Sequence, residues 1–380
     1  GSNVSVTTAN GDLKIEGTST GSFSAVANGV NANVITCGDI TSAGILTLDA
    51  GSGDADVVIS NTNKVQGSSV NLISGSGVGS EVRLGNGAAA VTATTGDVTL
   101  TTPVLNMTAG ANSVSATLGD VIVQSNGAGN ALAVGLGAGS QINAATAGTG
   151  DIFFNPTTAG NITVTGGPAN GLLNAGNTVS YGGGTVTTDV NQINGCVVSN
   201  GATVSTASVT TATGDLNVGP FTSSGNTAFT ANAAGADLIT CGDINTGAGN
   251  LTLQAGSGAD ADVKINNNVT TTGVLSVIAG AAAGSDVTLA PGVVVNSGSA
   301  TVTTPTLALG ANSQLKANTG NLTVDSNAPG NALNVTLGAN STLLSATNVN
   351  FNPAGAANEG PITVTGAAGS LVQAPNINYN

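Results

Sequence analysis

The sequence predicts an all-β fold, a parallel β-helix (β-solenoid) built from two tandem copies of a unit of about 200 residues. Three observations predict this fold: a long internal repeat, a recurring motif of a turn followed by alternating apolar residues, and the scarcity of the helix-favouring residues Glu, Lys, Arg and Gln. A solenoid fits all three, because each turn of chain stacks on the next and the sequence can be extended without redesign of the core. A β-sandwich is the alternative for evenly spaced short strands.

The long repeat keeps its register almost from one end of the chain to the other. The segment ITCGDI at 35–40 returns unchanged at 239–244, an offset of 204 residues, and ITVTG at 162–166 returns at 362–366, an offset of 200 residues. So small a drift indicates that short loop insertions are tolerated within a constant framework. We therefore predict two solenoid units, residues 1–203 and 204–380, that continue into each other.

A shorter motif within each copy predicts the individual strands. A glycine followed by Asp or Asn precedes an apolar, any, apolar triplet, and we interpret this as a turn that leads into a short strand. Glycine would adopt the positive φ angle of the turn, and the Asp or Asn side chain would cap the turn by bonding its own backbone. The clearest examples are Gly11-Asp12, Gly96-Asp97, Gly119-Asp120, Gly150-Asp151, Gly249-Asn250 and Gly320-Asn321.

The spacing of these strands also predicts the dimensions of the solenoid. With about 20 residues in each turn, the chain would make about 18 turns and form a rod of about 85 Å. Turn asparagines are then expected to hydrogen-bond along the axis from coil to coil, as amides do in stacked ladders. We assign this role to Asn126, Asn130, Asn327 and Asn331.

Composition excludes several classes of function. The net charge is −14, from 19 acidic against five basic residues, so no basic surface is available for nucleic acid or anionic lipid. Histidine is absent, which removes the commonest general base and metal ligand. No apolar stretch approaches the roughly 20 residues that span a membrane, so we predict no membrane insertion. Low charge with much Gly, Thr, Ser, Asn and Ala favours an extracellular or cell-surface location.

The three cysteines do not predict a disulfide framework. Cys37 and Cys241 occupy equivalent places in the two copies, and about ten coils of about 4.8 Å would separate them by roughly 50 Å. They are therefore expected to be small buried apolar side chains. The alternative is an interchain link through Cys196.

Two equivalent segments carry a family resemblance. The segments GNLTLQAG at 249–256 and GILTLDAG at 44–51 resemble the repeats of filamentous-haemagglutinin-like and autotransporter-type adhesins, β-strand-repeat surface proteins of bacteria. The resemblance implies a right-handed parallel β-helix that is exported to the bacterial surface and works as a stalk, adhesive fibre or matrix component. The glycine-rich calcium nonapeptide of toxin-like repeats is absent from the sequence, which argues against that family.

One carboxylate pair is the best candidate for a metal site. Asp54 and Asp56 flank an alanine, and the same arrangement recurs as Asp260 and Asp262. Alternation places both side chains of a pair on one face, where their oxygens suit a structural calcium ion. The alternative is a solvated polar turn, and no other cofactor is expected.

Catalysis is not expected, although polysaccharide-degrading enzymes often use β-helices. Such enzymes need clustered carboxylates with supporting groups, whereas this chain has no Trp or His and its one arginine, Arg83, is more simply a surface partner of Glu81. A polysaccharide-binding or polysaccharide-degrading protein remains the alternative from another class. An ice-binding module is the third candidate, because Thr-x-Thr segments can order water; they occur at 99–101, 163–165, 301–303 and 363–365.

The ends of the chain suggest how the protein is used. Neither end resembles the cap that a soluble solenoid normally carries, so we expect the last coil of one subunit to pair with the first coil of the next and grow a fibre. The competing explanation is a segment of a giant adhesin. We predict an extracellular structural protein that assembles head to tail into an adhesive surface fibre or matrix. Its partners would be further copies of itself and host or neighbouring cell-surface glycans.

Overall fold

A computed structural model describes residues 2–127, 130–145, 148–155, 160–166, 171–182, 184–199, 203–211, 213–258, 260–327, 331–352 and 360–379. All regular structure in these ranges is β, and the strands stack in parallel as a β-solenoid of about 14 turns. The predicted all-β parallel solenoid is therefore confirmed. Within the described ranges, no helix has the length and apolar character that crossing a membrane requires.

The chain divides into two compact units. The first comprises Gly1–Gly195 and Asn200–Ala202, and the second comprises Cys196–Ser199 and Thr203–Asn380. The right-handed sense of the coil and its origin in two copies stay predictions.

The strands of the first unit are β1 (Val4–Thr8), β2 (Leu13–Ser19), β3 (Phe23–Ala27), β4 (Val34–Ser42), β5 (Leu46–Asp49), β6 (Val57–Ile59), β7 (Lys64–Gly67), β8 (Val70–Ile73), β9 (Glu81–Leu84), β10 (Ala90–Ala93), β11 (Val98–Thr101), β12 (Val104–Met107), β13 (Ser113–Ala116), β14 (Val121–Gln124), β15 (Leu132–Leu136), β16 (Ser140–Ala144), β17 (Ile152–Phe154), β18 (Ile162–Thr165), β19 (Gly171–Tyr181) and β20 (Thr185–Asp189). The boundary at Gly195 falls within β21 (Asn191–Ser199).

The strands of the second unit are β22 (Thr206–Thr211), β23 (Leu216–Val218), β24 (Phe221–Thr222), β25 (Thr227–Ala231), β26 (Leu238–Thr240), β27 (Ile244–Asn245), β28 (Leu251–Gln254), β29 (Val263–Ile265), β30 (Val269–Thr270), β31 (Val274–Ile278), β32 (Asp286–Leu289), β33 (Val294–Ser297), β34 (Ser299–Thr303), β35 (Thr306–Leu309), β36 (Gln314–Ala317), β37 (Leu322–Asp325), β38 (Leu333–Leu337), β39 (Thr342–Ser345), β40 (Asn348–Phe351), β41 (Ile362–Gly366), β42 (Leu371–Gln373) and β43 (Asn376–Tyr379).

Strand pairing gives each unit three parallel faces. In the first unit, the first face contains β1, β3, β5, β8, β11, β14, β17 and the end of β19. The second face contains the starts of β2 and β4, followed by β6, β9, β12, β15, β18 and β20. The third face contains the ends of β2 and β4, followed by β7, β10, β13, β16 and the start of β19. In the second unit, the first face contains β22, β25, β28, β31, β34, β37, β40 and β43, the second β23, β26, β29, β32, β35, β38 and β41, and the third β24, β27, β30, β33, β36, β39 and β42.

The core consists of apolar side chains stacked in columns. The alternation within each strand turns every second residue inward, and the parallel register places each inward residue on its counterpart one turn later. One column on the first face of the first unit is Phe23, Leu46, Val70, Val98, Val121, Ile152 and Val179. These side chains are at most 2% exposed, so the stacking excludes water along the whole column.

The turns are longer than predicted, and 18 turns is therefore wrong. Val4 pairs with Phe23 after 19 residues, whereas Val121 pairs with Ile152 after 31 residues. Strand lengths vary as well, from two residues in β24 to 11 residues in β19.

The prediction of buried cysteines is also wrong. Cys37 is an exposed free thiol in β4, and Cys241 forms a disulfide with Cys196, with Cα atoms 6.5 Å apart. Both bonded residues belong to the second unit, so Cys196 is not left for an interchain link. Cys196 lies in β21 and Cys241 directly follows β26, and both strands pair with β23. The disulfide thus joins two turns that are separated by one strand.

Candidate functional site: carboxylate and amide ladders

The aspartate that precedes a strand bonds the next turn of the solenoid. Oδ1 of Asp97 accepts the backbone N–H of Asp120 at 2.9 Å, and Val98 N–H donates to the carbonyl of the same Asp120. The side chain therefore adds one hydrogen bond to the start of the ladder between two parallel strands. The prediction that Asp or Asn caps its own turn is wrong for Asp12, Asp97, Asp120, Asp151 and Asn250, each of which accepts from a residue 21 to 31 positions later.

These bonds link into ladders along the corners of each unit. In each ladder, Oδ1 of one residue accepts the backbone N–H of a residue one turn later. The side chain of that second residue then accepts the backbone N–H of a third residue, a further turn along. The acidic ladders are Asp12, Asn33, Asp56 and Glu81; Asp97, Asp120, Asp151 and Thr178; and Asp215, Asp237, Asp262 and Asp286. One ladder contains no acidic residue: Asn226, Asn250 and Val274. Another contains a single aspartate: Asp243, Asn268 and Val294.

Stacked carboxylates repel one another, and the titration of Asp120 reflects this. Burial raises the pKa of Asp120 above its ordinary value, and the charges of Asp151 and Asp97 raise it further, against the lowering effect of the Asp151 N–H. No lysine or arginine of the described chain forms an ion pair with these three aspartates. The ladder is therefore held by hydrogen bonds in spite of its charge.

The acidic ladder of the second unit contains a cation. Nζ of Lys264 contacts Oδ2 of Asp237 and lies 3.3 Å from Oδ2 of Asp262, and the pKa of Lys264 is raised, chiefly by Asp237. Asp286 at the end of this ladder has its pKa raised by burial and by the charges of Asp262 and Asp260. Val58 occupies the corresponding sequence position in the first unit, so the two units balance their charge differently.

The four predicted metal ligands take part in this scaffold. The alanines between them, Ala55 and Ala261, are fully buried, so alternation turns each pair outward as expected. In the first pair, Oδ1 of Asp56 accepts Glu81 N–H at 2.9 Å, and Oδ1 of Asp54 lies 3.4 Å from Gly79 N.

The second pair differs at one carboxylate. Oδ1 of Asp262 accepts Asp286 N–H at 2.8 Å, and its Oδ2 faces Lys264, while Asp260 occupies a left-handed turn position with φ 56°. An ammonium at Oδ2 competes with a metal ion, so Asp54 and Asp56 are the better pair. In the described ranges, no three His, Cys, Asp or Glu side chains are grouped to hold one metal ion. Structural calcium stays a prediction.

The predicted Arg83 pair and part of the predicted amide bonding are confirmed. Nε of Arg83 lies 3.3 Å from Oε1 of Glu81 at the surface. Nδ2 of Asn126 donates to the carbonyl of Gly75, 51 residues earlier, and Nδ2 of Asn327 donates to Gly280, 47 residues earlier.

The other predicted amides behave differently. Asn331 donates to Asn327 Oδ1 in its own loop, at 3.2 Å, so axial bonding is wrong for this residue, and for Asn130 it stays a prediction. Further amide ladders, in which Nδ2 of one Asn donates to Oδ1 of its counterpart one turn earlier, involve asparagines that were not predicted from sequence. On strands they join Asn174 to Asn143, Asn376 to Asn348 and Asn378 to Asn350, and between turns they join Asn340 to Asn312. Stacking of identical polar residues in register is the signal that could have found them.

Comparison of the chain with protein-family models, with curated proteins and with solved structures finds no match.

Proposed function

We propose that this chain is an extracellular structural protein, a β-solenoid subunit that stacks end to end into a surface fibre or matrix and serves in adhesion. The observation that carries the proposal is the stacking itself. Successive turns present parallel strand edges and core columns in register, and several turns also present Oδ1 acceptors, so one turn is a template for the next.

The turn formed by β41, β42 and β43 continues the core columns of the turn before it. Ile377 and Tyr379 pair in register with Val349 and Phe351, which are fully buried, yet they are themselves 39% and 57% exposed. The ring of Tyr379 stacks on Phe351 with centroids 5.1 Å apart. A further turn laid over β43 would remove this apolar surface from water, at about 25 cal/mol for each Å².

The turn formed by β1 and β2 offers the complementary edge. Val4 and Val6 are only half-buried, whereas Phe23 and Ala25, their partners in register, are 2% and 0% exposed. We propose that β41–β43 of one copy stack on β1 and β2 of the next. Such a contact joins two different surfaces and does not close on itself, so it grows a filament.

The disulfide supports an oxidising compartment for this assembly. Disulfides persist outside the cell and are rare in the cytosol, and Cys196 and Cys241 are bonded here. We extend the proposal to membership of the filamentous-haemagglutinin-like or autotransporter-type surface proteins of bacteria, with cell-surface glycans as adhesive partners. The parallel solenoid and the GNLTLQAG-type repeats support this extension.

Sedimentation velocity over a concentration series tests the end-to-end contact. The unmodified chain is expected to form species that lengthen with concentration. The double variant Ile377→Asp, Tyr379→Asp is expected to remain a single small species, because two charges would be buried unpaired in the contact. The matched control is Val78→Asp, which changes an apolar residue that is 89% exposed in the loop after β8 and should assemble normally. A concentration-independent single species of the unmodified chain would refute the proposal.

A further inference from the structure

An open groove of about 360 Å³ lies on the first unit, where β3, β5 and β8 end. Its floor includes Asp49 and Gly51, its rim includes Ser52 and Ser76, and Asn126 reaches it from the loop after β14. The volume falls within the range of small-molecule sites. None of the residues predicted from sequence to bind a metal belongs to this groove.

Asp49 brings an uncompensated negative charge to the groove. In register it lies between Val26 and Ile73, two outward-facing apolar residues on neighbouring strands. Burial by these surroundings raises the pKa of Asp49. Among the described residues, no lysine or arginine forms an ion pair with Asp49.

Asn126 brings an unsatisfied hydrogen-bond acceptor. Its Nδ2 donates to Gly75 across two turns, while its Oδ1 is buried with no hydrogen-bond partner. The equivalent residue of the second unit, Asn327, donates to Gly280 in the same way, but its Oδ1 accepts Asn331 Nδ2 at 3.2 Å. A buried acceptor without a donor is costly, so Asn126 is less well satisfied than its counterpart in the second unit.

The second copy also lacks the other polar groups of the groove. Gln254 stands where the first copy has Asp49, and Ala279 and Ala281 stand in place of Ser74 and Ser76. The same backbone framework therefore occurs once with a charged polar lining and once with a neutral, less polar one. This difference provides an internal control.

We propose that the groove binds a protonated amine carried on a hydroxyl-rich ring, the chemistry of an amino sugar. The carboxylate of Asp49 would accept from the ammonium group. The hydroxyls of Ser52 and Ser76 would meet ring hydroxyls at the rim. The net charge of −14 favours approach of a cationic saccharide. This proposal deepens the adhesive part of the proposed function and does not require fibre assembly.

Calorimetric titration of the full chain with a glucosamine tetramer tests the proposal. The N-acetylated tetramer of the same length is the ligand control, and the pH is held between the pKa of Asp49 and that of the amine. We expect saturable binding of the amine form and weaker binding of the acetylated form. Asp49→Asn should lower the affinity about tenfold or more, because it removes one charge from the pair and keeps the shape of the side chain.

The matched variant is Gln254→Asp, which places a carboxylate at the equivalent point of the second copy and should leave the affinity and the stoichiometry unchanged. Equal binding of both tetramers, or full binding by Asp49→Asn, would overturn the proposal. A third outcome would also overturn the proposal: the groove binds calcium, this binding is lost in Asp49→Asn, and the amine tetramer does not bind. Repeating the titration with the non-assembling variant Ile377→Asp, Tyr379→Asp separates failure of the groove from failure of the fibre.

Discussion

Asp120 shows two opposed effects in one side chain. Its Oδ1 accepts the N–H of Asp151 at 2.9 Å, and its own N–H donates to Oδ1 of Asp97. At the same time its negative charge lies between those of Asp97 and Asp151. Burial makes the largest contribution to the raised pKa of Asp120, and the two neighbouring charges raise it further. The ladder therefore needs the oxygen of Asp120 and does not need its charge.

A pair of substitutions at this position separates the two effects. Asp120→Ala removes the acceptor for the Asp151 N–H and should lower the free energy of unfolding by about 1 kcal/mol. Asp120→Asn keeps Oδ1 and removes the repulsion, so its stability at neutral pH should equal or exceed that of the unmodified protein. Urea unfolding gives both values, with Asp189→Ala, an exposed aspartate at the end of β20, as the control. Equal losses in the Ala and Asn variants would show that the charge is what stabilises the ladder.

The pH dependence of stability should follow from the raised pKa of Asp120. A carboxyl whose folded pKa lies above its ordinary 3.8 holds its proton more tightly in the folded state. Its contribution to stability is therefore fully present below 3.8 and is lost as pH rises through the folded pKa. The advantage of Asp120→Asn over the unmodified protein should grow over that interval and stay constant above it. Urea midpoints at a series of pH values test this, and a difference independent of pH would contradict it.

The sequence pattern predicts where these residues lie but not what they bond. A Gly-Asp pair before an alternating triplet correctly marks the start of β2, β11, β14 and β17. The hydrogen-bond partner of the Asp side chain could not be predicted, because two kinds of backbone N–H group are available to it. One belongs to the residue's own turn, and the other belongs to the start of a strand one solenoid turn later. Only the register, which depends on loop lengths throughout the turn, distinguishes the two.

At the scale of the element, the disulfide is the one covalent link between turns in the described chain. Cys196 in β21 and Cys241 after β26 are 45 residues apart in sequence and lie on either side of β23. Closing a loop of this length restricts the unfolded chain. The bond should therefore stabilise the start of the second unit.

Removal of the disulfide should have a large effect confined to this unit. Cys196→Ser is expected to lower the free energy of unfolding by about 2–4 kcal/mol. Cys37→Ser, at the position of the first unit that corresponds to Cys241, replaces an exposed free thiol and should change stability by less than about 0.5 kcal/mol. Denaturant unfolding with and without reductant measures both, and mass spectrometry identifies the bonded pair. A stability of Cys196→Ser equal to that of the unmodified oxidised protein would contradict the assignment.

The cysteines also show which part of the fold the sequence leaves open. Alternation correctly predicts the strands and the inward Val, Ile, Leu and Ala residues, because it depends on neighbours in sequence. The pairing of Cys196 with Cys241 depends on which residues meet after one or two turns. Since turns range from 19 to 31 residues, no fixed period predicts those contacts.

At the scale of the whole molecule, the same few interactions are used many times. Apolar columns exclude water inside each unit, and Asp and Asn ladders satisfy backbone donors at the corners. Because these interactions act between successive turns, the proposed stacking of further copies would use the same interactions. The groove at Asp49 is a local departure from this regularity, since the corresponding sequence position in the second unit is the uncharged Gln254.

Electron microscopy of the purified protein over a concentration series would show end-to-end assembly as filaments. We expect filaments whose images show a layer line near 4.8 Å, the spacing of strands stacked along the axis. The same samples are also imaged after addition of a chelator. Loss of the filaments in the chelator would support a calcium ion at Asp54 and Asp56. Separate particles of constant size at every concentration would contradict end-to-end assembly, and filaments without the strand spacing along their axis would contradict the stacking of turn on turn.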